Sequence, residues 1–383
     1  NQGENSYWHV PIPPQGVGVR LHYRAVVQRS GHGQLWSQHQ DTVVRPNLPD
    51  LTESEEIVGR PEGAVGNRRM TVKVDPRGST YDIFYPSAGL HSDVRPAAGD
   101  QPHSRCNSQA IVGGLSLGER VDWFSERRRW IARQSYLGAT NLLRTELTSR
   151  QGPVRVVITD FVALGEENWP RRTSDYNERE AAQPGQYIKR FRITNTSNEP
   201  IPSSFHVYVH AEVNGGIGEP GLSWVDSDQV LLAINRGHSH SNRKLARSAT
   251  LEFGILLDGR GEVTCEPTST HEAILSRDLL LPPGETSVDL LVTGAFTGWQ
   301  RDEGTYANWI TPAAHWFRKL GLDLVENRSV DGWDQFVDAL PTIVIENREG
   351  WSGQYRRSAL YAALHCDEEH GGIASGFDRG LSA

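Results

Sequence analysis

Apolar and polar residues alternate through most of the middle of the chain, with turn residues between the alternating runs. "RMTVKVDPRGSTYDIFYPSAG" (69–89) predicts two strands around an Asp-Pro-Arg-Gly turn. Pro76 presets that turn and Gly78 supplies its positive φ angle. "QAIVGGLSLGERVDWFS" (109–125) predicts another hairpin, and "NLLRTELTSRQGPVRVVITDFVAL" (141–164) predicts two strands around Gln-Gly-Pro. The clearest alternation is "QYIKRFRITNTSNEPIPSSFHVYVHAEV" (186–213), with Ile188, Phe191, Ile193, Phe205, Val207 and Val209 as inward candidates. "QVLLAINRG", "ATLEFGILLDG", "EVTCEP" and "TSVDLLVTGAF" carry the pattern to Phe296. Short strands at this spacing predict a large antiparallel β-sandwich. There is no βαβ rhythm and no glycine-rich phosphate loop, which disfavours nucleotide-binding α/β folds.

The pattern differs at both ends. "VRLHYRAVVQ" (19–28) alternates like a strand, and an acidic stretch with prolines at 46, 49 and 61 follows it. This reads as a small N-terminal β module with its linker, residues 1–66. The sandwich is expected over 67–298. After it the period becomes helical. "TPAAHWFRKLGLDLVEN" and "DGWDQFVDALP" form a helical linker over 299–349, with Pro312 at an allowed first-turn position. Trp351, Tyr355, Ser358, Ala359 and Ala362 fall at helical spacing in a last segment, 350–383.

Composition narrows the function classes. The 383 residues are 37% hydrophobic and 22% charged, and the net charge is −8. That balance argues against a basic surface for nucleic acid. No run approaches the roughly 20 apolar residues of a spanning helix, so no membrane is expected. Arg127, Arg128 and Arg129 form a local basic run, read as a solvated or salt-bridged strand end rather than an anion site. Cys106, Cys265 and Cys366 are odd in number and far apart, which excludes a disulfide framework and a Cys-x-x-Cys metal site. One disulfide stays open. The chain starts at Asn1 rather than Met, and Asn195-Thr-Ser and Asn327-Arg-Ser match the glycosylation acceptor pattern. A secreted or periplasmic location is compatible with these features, and the compartment is left open.

Candidate chemistry is sparse. Glu166–Glu167 and Glu368–Glu369 are sequence neighbours whose side chains point apart on a strand or helix, a poor acid–base arrangement. His206, Tyr208 and His210 share one face of a predicted strand, and His206 and His210 are candidate metal ligands beside a simpler reading as a polar outer face. His365, Cys366, Glu369 and His370 form a second cluster at a helix end, where histidine is favourable for dipole reasons alone. Trp299 and Gln300 lie in the loop after the last strand. They are candidates for stacking on sugar, or for anchoring the linker to the sandwich. No cofactor is expected.

Three stretches together resemble the bacterial glucoamylases, the family-15 glycoside hydrolases. "MTVKVDPRGSTYDIFYPSAGLHSDVR" is similar to the opening hairpin of their sandwich. "YIKRFRITNTSNEPIPSSFHVYVHAEV" is similar to their arginine-bearing strand, Asn-x-Ser turn and strand with a histidine tip. "RRSALYAALHCDEEHGGIASGFD" resembles their first barrel helix and the loop after it. The resemblance covers roughly 69–373 and implies a super-β-sandwich, a helical linker and the start of a catalytic (α/α)6 barrel. It also implies an inverting, exo-acting hydrolase of α-linked glucosides. Inversion uses a carboxylic acid and a carboxylate roughly 6.5–9.5 Å apart with a water between them. The last nine residues, "SGFDRGLSA", depart from the family's loop, and the family's glucose-gripping segment and both catalytic glutamates have no counterpart here. No catalytic residue is therefore assigned. Asp378 and Arg379, in that loop, join Trp299 and Gln300 as candidate substrate contacts. The expected partners are a carbohydrate substrate and a polypeptide carrying the rest of the barrel, packed on 350–383. The alternatives are a non-catalytic carbohydrate-binding or structural module, and an interaction subunit of a larger assembly.

Overall fold

The computed structural model describes residues 20–23, 26–28, 34–36, 40–43, 48–49, 63–68, 70–84, 109–118, 120–164, 185–211, 219–238, 248–258, 261–296, 321–341 and 351–366. In chain order the strands are β1 (Arg20–Tyr23), β2 (Val26–Gln28), β3 (Gln34–Trp36), β4 (Gln40–Val43), β5 (Gly63–Gly66), β6 (Thr71–Val74) and β7 (Thr80–Phe84). Then come β8 (Gln109–Ser116), β9 (Val121–Trp123), β10 (Trp130–Tyr136), β11 (Leu143–Ser149), β12 (Val154–Val162), β13 (Gly185–Asn195) and β14 (Ile201–Ala211). The rest are β15 (Glu219–Val225), β16 (Val230–His238), β17 (Ser248–Asp258), β18 (Thr264–Pro267), β19 (Glu272–Leu281) and β20 (Gly284–Phe296). Two helices follow, α1 (Leu322–Asp338) and α2 (Trp351–Leu364).

The strands after β4 form two antiparallel sheets. Sheet 1 runs β10-β11-β12-β13-β20-β17-β16-β15, and sheet 2 runs β18-β19-β14-β8-β7-β6-β5 with β9 added to β8. The chain passes repeatedly from one sheet to the other. The strands β13 and β14, which read as one continuous alternation, lie in different sheets. β13 pairs with β12 and β20, while β14 pairs with β8 and β19. Of the small N-terminal strands, β1 pairs with β4 and β2 pairs with β3 inside it, so the segment 19–28 is divided between two ladders.

The core between the sheets takes one parity from each strand. Sheet 1 supplies Val156, Ile158, Phe191, Ile193, Leu290 and Val292, and sheet 2 supplies Val72, Phe205, Val207, Val209 and Leu275. Phe191 and Phe205 meet edge-on at 4.8 Å between ring centres, and Phe124 packs against Trp130 at 5.1 Å. Gly113 faces this cluster. A Cβ there would lie 2.8 Å from Phe124 and 2.9 Å from Phe191, so a glycine is required for the rings to pack. Ile188 is even-numbered where Phe191 and Ile193 are odd, so it points to the opposite face and joins the apolar layer beneath the helices.

The predicted hairpin turn is present and lies on the inner face of sheet 1. Asp75 Oδ1 accepts hydrogen bonds from the backbone N–H groups of Arg77 (2.8 Å) and Ser79 (2.7 Å). Gly78 has φ of +81°, and a Cβ on it would lie 2.7 Å from Ile158 Cδ1. The β13–β14 turn is built on Asn195. Its Nδ2 donates to the carbonyls of Glu199 (2.7 Å) and Leu281 (3.0 Å), and its Oδ1 accepts from Ser197. A glycan on this buried amide is incompatible with the turn, so Asn195 serves the fold and not the acceptor pattern it matches.

Candidate functional site: the helix-bearing face of the sandwich

The outer face of sheet 1 carries a second apolar layer. Phe161, Ala163, Ile188, Leu232, Leu256 and Leu291 meet Leu322, Val325, Trp333 and Val337 of α1 and Leu360, Ala363 and Leu364 of α2. On α1 the buried residues Leu322, Val325, Ser329, Trp333 and Val337 recur every three or four positions, the spacing of one helix face. Ser329 sits in that stripe because its hydroxyl is used twice. It accepts from Leu164 N–H (3.1 Å) and donates to the Val325 carbonyl (2.8 Å).

The first turn of α1 has no side-chain cap, since Gly321 precedes it with φ of +84°. An arginine from the sheet anchors it instead. Arg190 on β13 donates through Nε to Asp289 (3.0 Å), and through Nη1 to Asp323 and Glu326 at 2.6 Å each. Arg192 reaches Glu326 at 3.5 Å. Burial works against the Arg190 charge, and the carboxylates around it outweigh that and raise its pKa. The Arg190 hydrogen bond and charge hold exposed Asp323 below the usual carboxylate range.

A different arginine anchors α2. The Arg357 guanidinium lies 3.7 Å over the Tyr136 ring centre, donates to the Thr140 carbonyl at 2.6 Å, and bonds Asn141 Oδ1. Asn141 Nδ2 returns a bond to the Leu360 carbonyl at 3.3 Å. Tyr136 also joins the sheets, because its hydroxyl meets both the N–H and the carbonyl of Ala64 at 3.0 Å. One face of α2 is thus fixed to the sandwich. The other carries Trp351 and Tyr361, each 46% exposed, with Ser358 and Ala362 exposed and Tyr355 half-buried.

The candidate histidines lie on the outer face of sheet 2, with Tyr208 and Trp123. His206 bonds Ser116 Oγ through Nε2 and Ser276 Oγ through Nδ1, both at 2.8 Å, and burial lowers its pKa to about 4. His210 Nδ1 and the Tyr208 hydroxyl both meet Glu272 Oε1, at 3.2 and 2.8 Å. Each histidine is bonded to side chains on neighbouring strands, and among the described residues no group of three or more His, Cys, Asp or Glu could hold a metal ion. The basic run lies in the turn that leads into β10 and makes salt bridges there, with Arg129 3.5 Å from Asp122 and 3.7 Å from Glu126. Cys265 and Cys366 are free thiols. Trp299, Gln300, Asp378 and Arg379 lie outside the described residues, as do Glu166, Glu167, Glu368, Glu369 and His370. No described helix is long and apolar enough to cross a membrane.

No protein-family model matches the chain, and no curated protein matches it by sequence. Solved structures do. A putative kojibiose phosphorylase from the human microbiome aligns over 85% of this chain and 41% of its own, at 9% identity and a TM-score of 0.54. A bacterial glucoamylase complexed with acarbose aligns over 80% of this chain and 42% of its own, at 10% identity and a TM-score of 0.46. At such identity the likeness is one of fold. The chain shares its fold with the phosphorylase, and it spans about two fifths of the length of the structures it matches.

Proposed function

We propose that this chain is the sandwich and linker portion of a glucoamylase-like, inverting, exo-acting hydrolase of α-linked glucosides. The catalytic carboxylic acid and carboxylate come from an (α/α)6 barrel outside this sequence. In this reading residues 1–66 form an accessory module, 67–298 the sandwich, 299–349 the linker and 350–383 the first barrel helix with its loop. The observation that carries the reading is the division of α2. Arg357, Leu360, Ala363 and Leu364 hold one face on the sandwich, while Trp351, Ser358, Tyr361 and Ala362 are exposed on the other. A single helix of 14 residues is marginal alone, and an outward stripe of aromatic and small residues suits further helices packed beside it. The sandwich then serves as a rigid support. Trp299 and Gln300 in the linker, with Asp378 and Arg379 in the loop after the first barrel helix, are the candidates for contact with the sugar.

A second reading comes from the phosphorylase, the neighbour with the higher TM-score. A barrel on the same support would pass the glucosyl group to phosphate instead of water. One assay separates the two. The protein from its native source is given maltotriose with and without phosphate, and products are followed by proton NMR. Hydrolysis with inversion releases β-glucose without phosphate. Glucose 1-phosphate formed only with phosphate would establish the second reading, and no product from any α-linked glucoside would defeat both.

A further inference from the structure

Two opposite charges lie buried between the sheets. Lys189 on β13 and Asp160 on β12 are direct cross-strand partners, both on the inward parity, and both side chains are 0% exposed. Lys189 Nζ is 2.7 Å from Asp160 Oδ1 and donates to the Gly78 carbonyl at 2.5 Å. The rings of Tyr187 and Phe191 flank the amine, with centres 6.0 and 5.9 Å from Nζ. The Tyr187 hydroxyl donates to the same Asp160 Oδ1 at 2.5 Å and is itself fixed by Thr80 at 2.6 Å. Asp160 Oδ2 is buried without a hydrogen-bond partner. A second carboxyl group belongs to the turn that meets the amine. Asp75, wholly buried in the turn that presents Gly78, interacts electrostatically with Lys189, and its Oδ2 is also without a partner.

A fully buried ion pair gains little unless every lone pair is satisfied, and here two carboxylate oxygens are not. Burial raises the Asp160 pKa and so favours its neutral acid. A carboxylic acid held in contact with an amine is the pair from which an amide forms. We propose that Lys189 and Asp160 are joined by an intramolecular isopeptide bond, made within the folded sandwich. The Nζ lone pair attacks Asp160 Cγ, and the Tyr187 hydroxyl stabilises the charge that develops on Oδ1. The bond from Cγ to Oδ2 breaks. Of the three protons carried by the amine and the acid together, one stays on the amide nitrogen and two leave with Oδ2 as water. Asp75 accepts a proton from the nitrogen and returns it to the leaving oxygen. No oxidant, metal or cofactor enters the balance. The fold supplies the proximity, since the two groups are held in hydrogen-bond contact on adjacent strands. The product ties β12 to β13 across the long excursion between them and removes both charges from the core.

Mass spectrometry of the folded chain under denaturing conditions tests this. The expected mass is one water below that of the sequence. A tryptic digest should yield a branched peptide containing Asp160 and Lys189, with no cleavage after Lys189. Lys189→Met should restore the full mass, and Asp75→Asn, which keeps the turn's Oδ1 acceptor, should leave most molecules unlinked. The wild-type measurement decides without any variant. A chain that unfolds cooperatively, carries its full sequence mass and gives linear Asp160 and Lys189 peptides overturns the proposal.

Discussion

His206 is neutral because of where it sits. It is 7% exposed on the outer face of sheet 2, with a serine hydroxyl on each ring nitrogen. Burial lowers its pKa to about 4 from an unfolded value near 6.5. The folded state therefore binds this proton more weakly than the unfolded state. Its contribution to stability is complete above pH 6.5 and is lost as the pH falls toward 4, by about 3 kcal/mol. Urea titrations at pH 7 and pH 4.5 should show this loss in the wild type. His206→Gln should begin less stable, by about 1 kcal/mol for a lost hydrogen bond, and then fall less over the same window. Equal slopes for the two proteins would refute the assignment. Residue-level signals in the sequence were uneven. Gly78 was legible, because a Pro-x-Gly turn names the residue that must take positive φ. Lys189 shares the odd parity of Tyr187, Phe191 and Ile193, so the alternation itself aims a charge inward. Its partner Asp160 has no local signal, because cross-strand register depends on pairing between distant segments.

Strands and helices were legible where a two-residue or helical period ran long enough. The hairpins β6–β7 and β8–β9 and the antiparallel pair β11–β12 lie where turn chemistry put them. The passage of the chain from β13 in one sheet to β14 in the other was not legible. An Asn-x-Ser turn between two alternating runs looks the same whether the strands pair with each other or with distant partners. Ile188 was assigned to the core by its hydrophobicity, yet its parity and the helices above it place it on the outer face. The anchoring of the helices was also hidden, since the partners of Arg190 and Arg357 lie far away in sequence. Arg190 substitutes for a cap on α1, and Arg190→Met should leave Asp289 and Glu326 without their main partner. That variant should lose about 2 kcal/mol, the worth of charge-assisted hydrogen bonds in a half-buried setting. Hydrogen exchange should accelerate in the first turns of α1 and stay unchanged in α2. Uniform acceleration through both helices would show that the ion cluster does not act locally on α1.

At the scale of the molecule, the chain is a β-sandwich with two helices laid on the outer face of one sheet, and the proposed function makes it a support. The sequence pointed to this architecture through the order of three stretches, each short on its own, and the fold likeness to the phosphorylase agrees with it at 9% identity. No catalytic residue was legible, because the resembled family's two glutamates have no counterpart in the sequence. The chain covers 41–42% of its structural neighbours, and the proposed site belongs to the remainder. The central claim is that a helical barrel sits on α2. The direct test is to capture the protein from its native source through its sandwich and weigh every polypeptide by denaturing mass spectrometry. The account predicts additional sequence after Ala383, in the same chain or in one bound to it, long enough for the remaining barrel helices and supplying the two carboxylates. Recovery of the 383 residues alone, with no associated polypeptide, would contradict it.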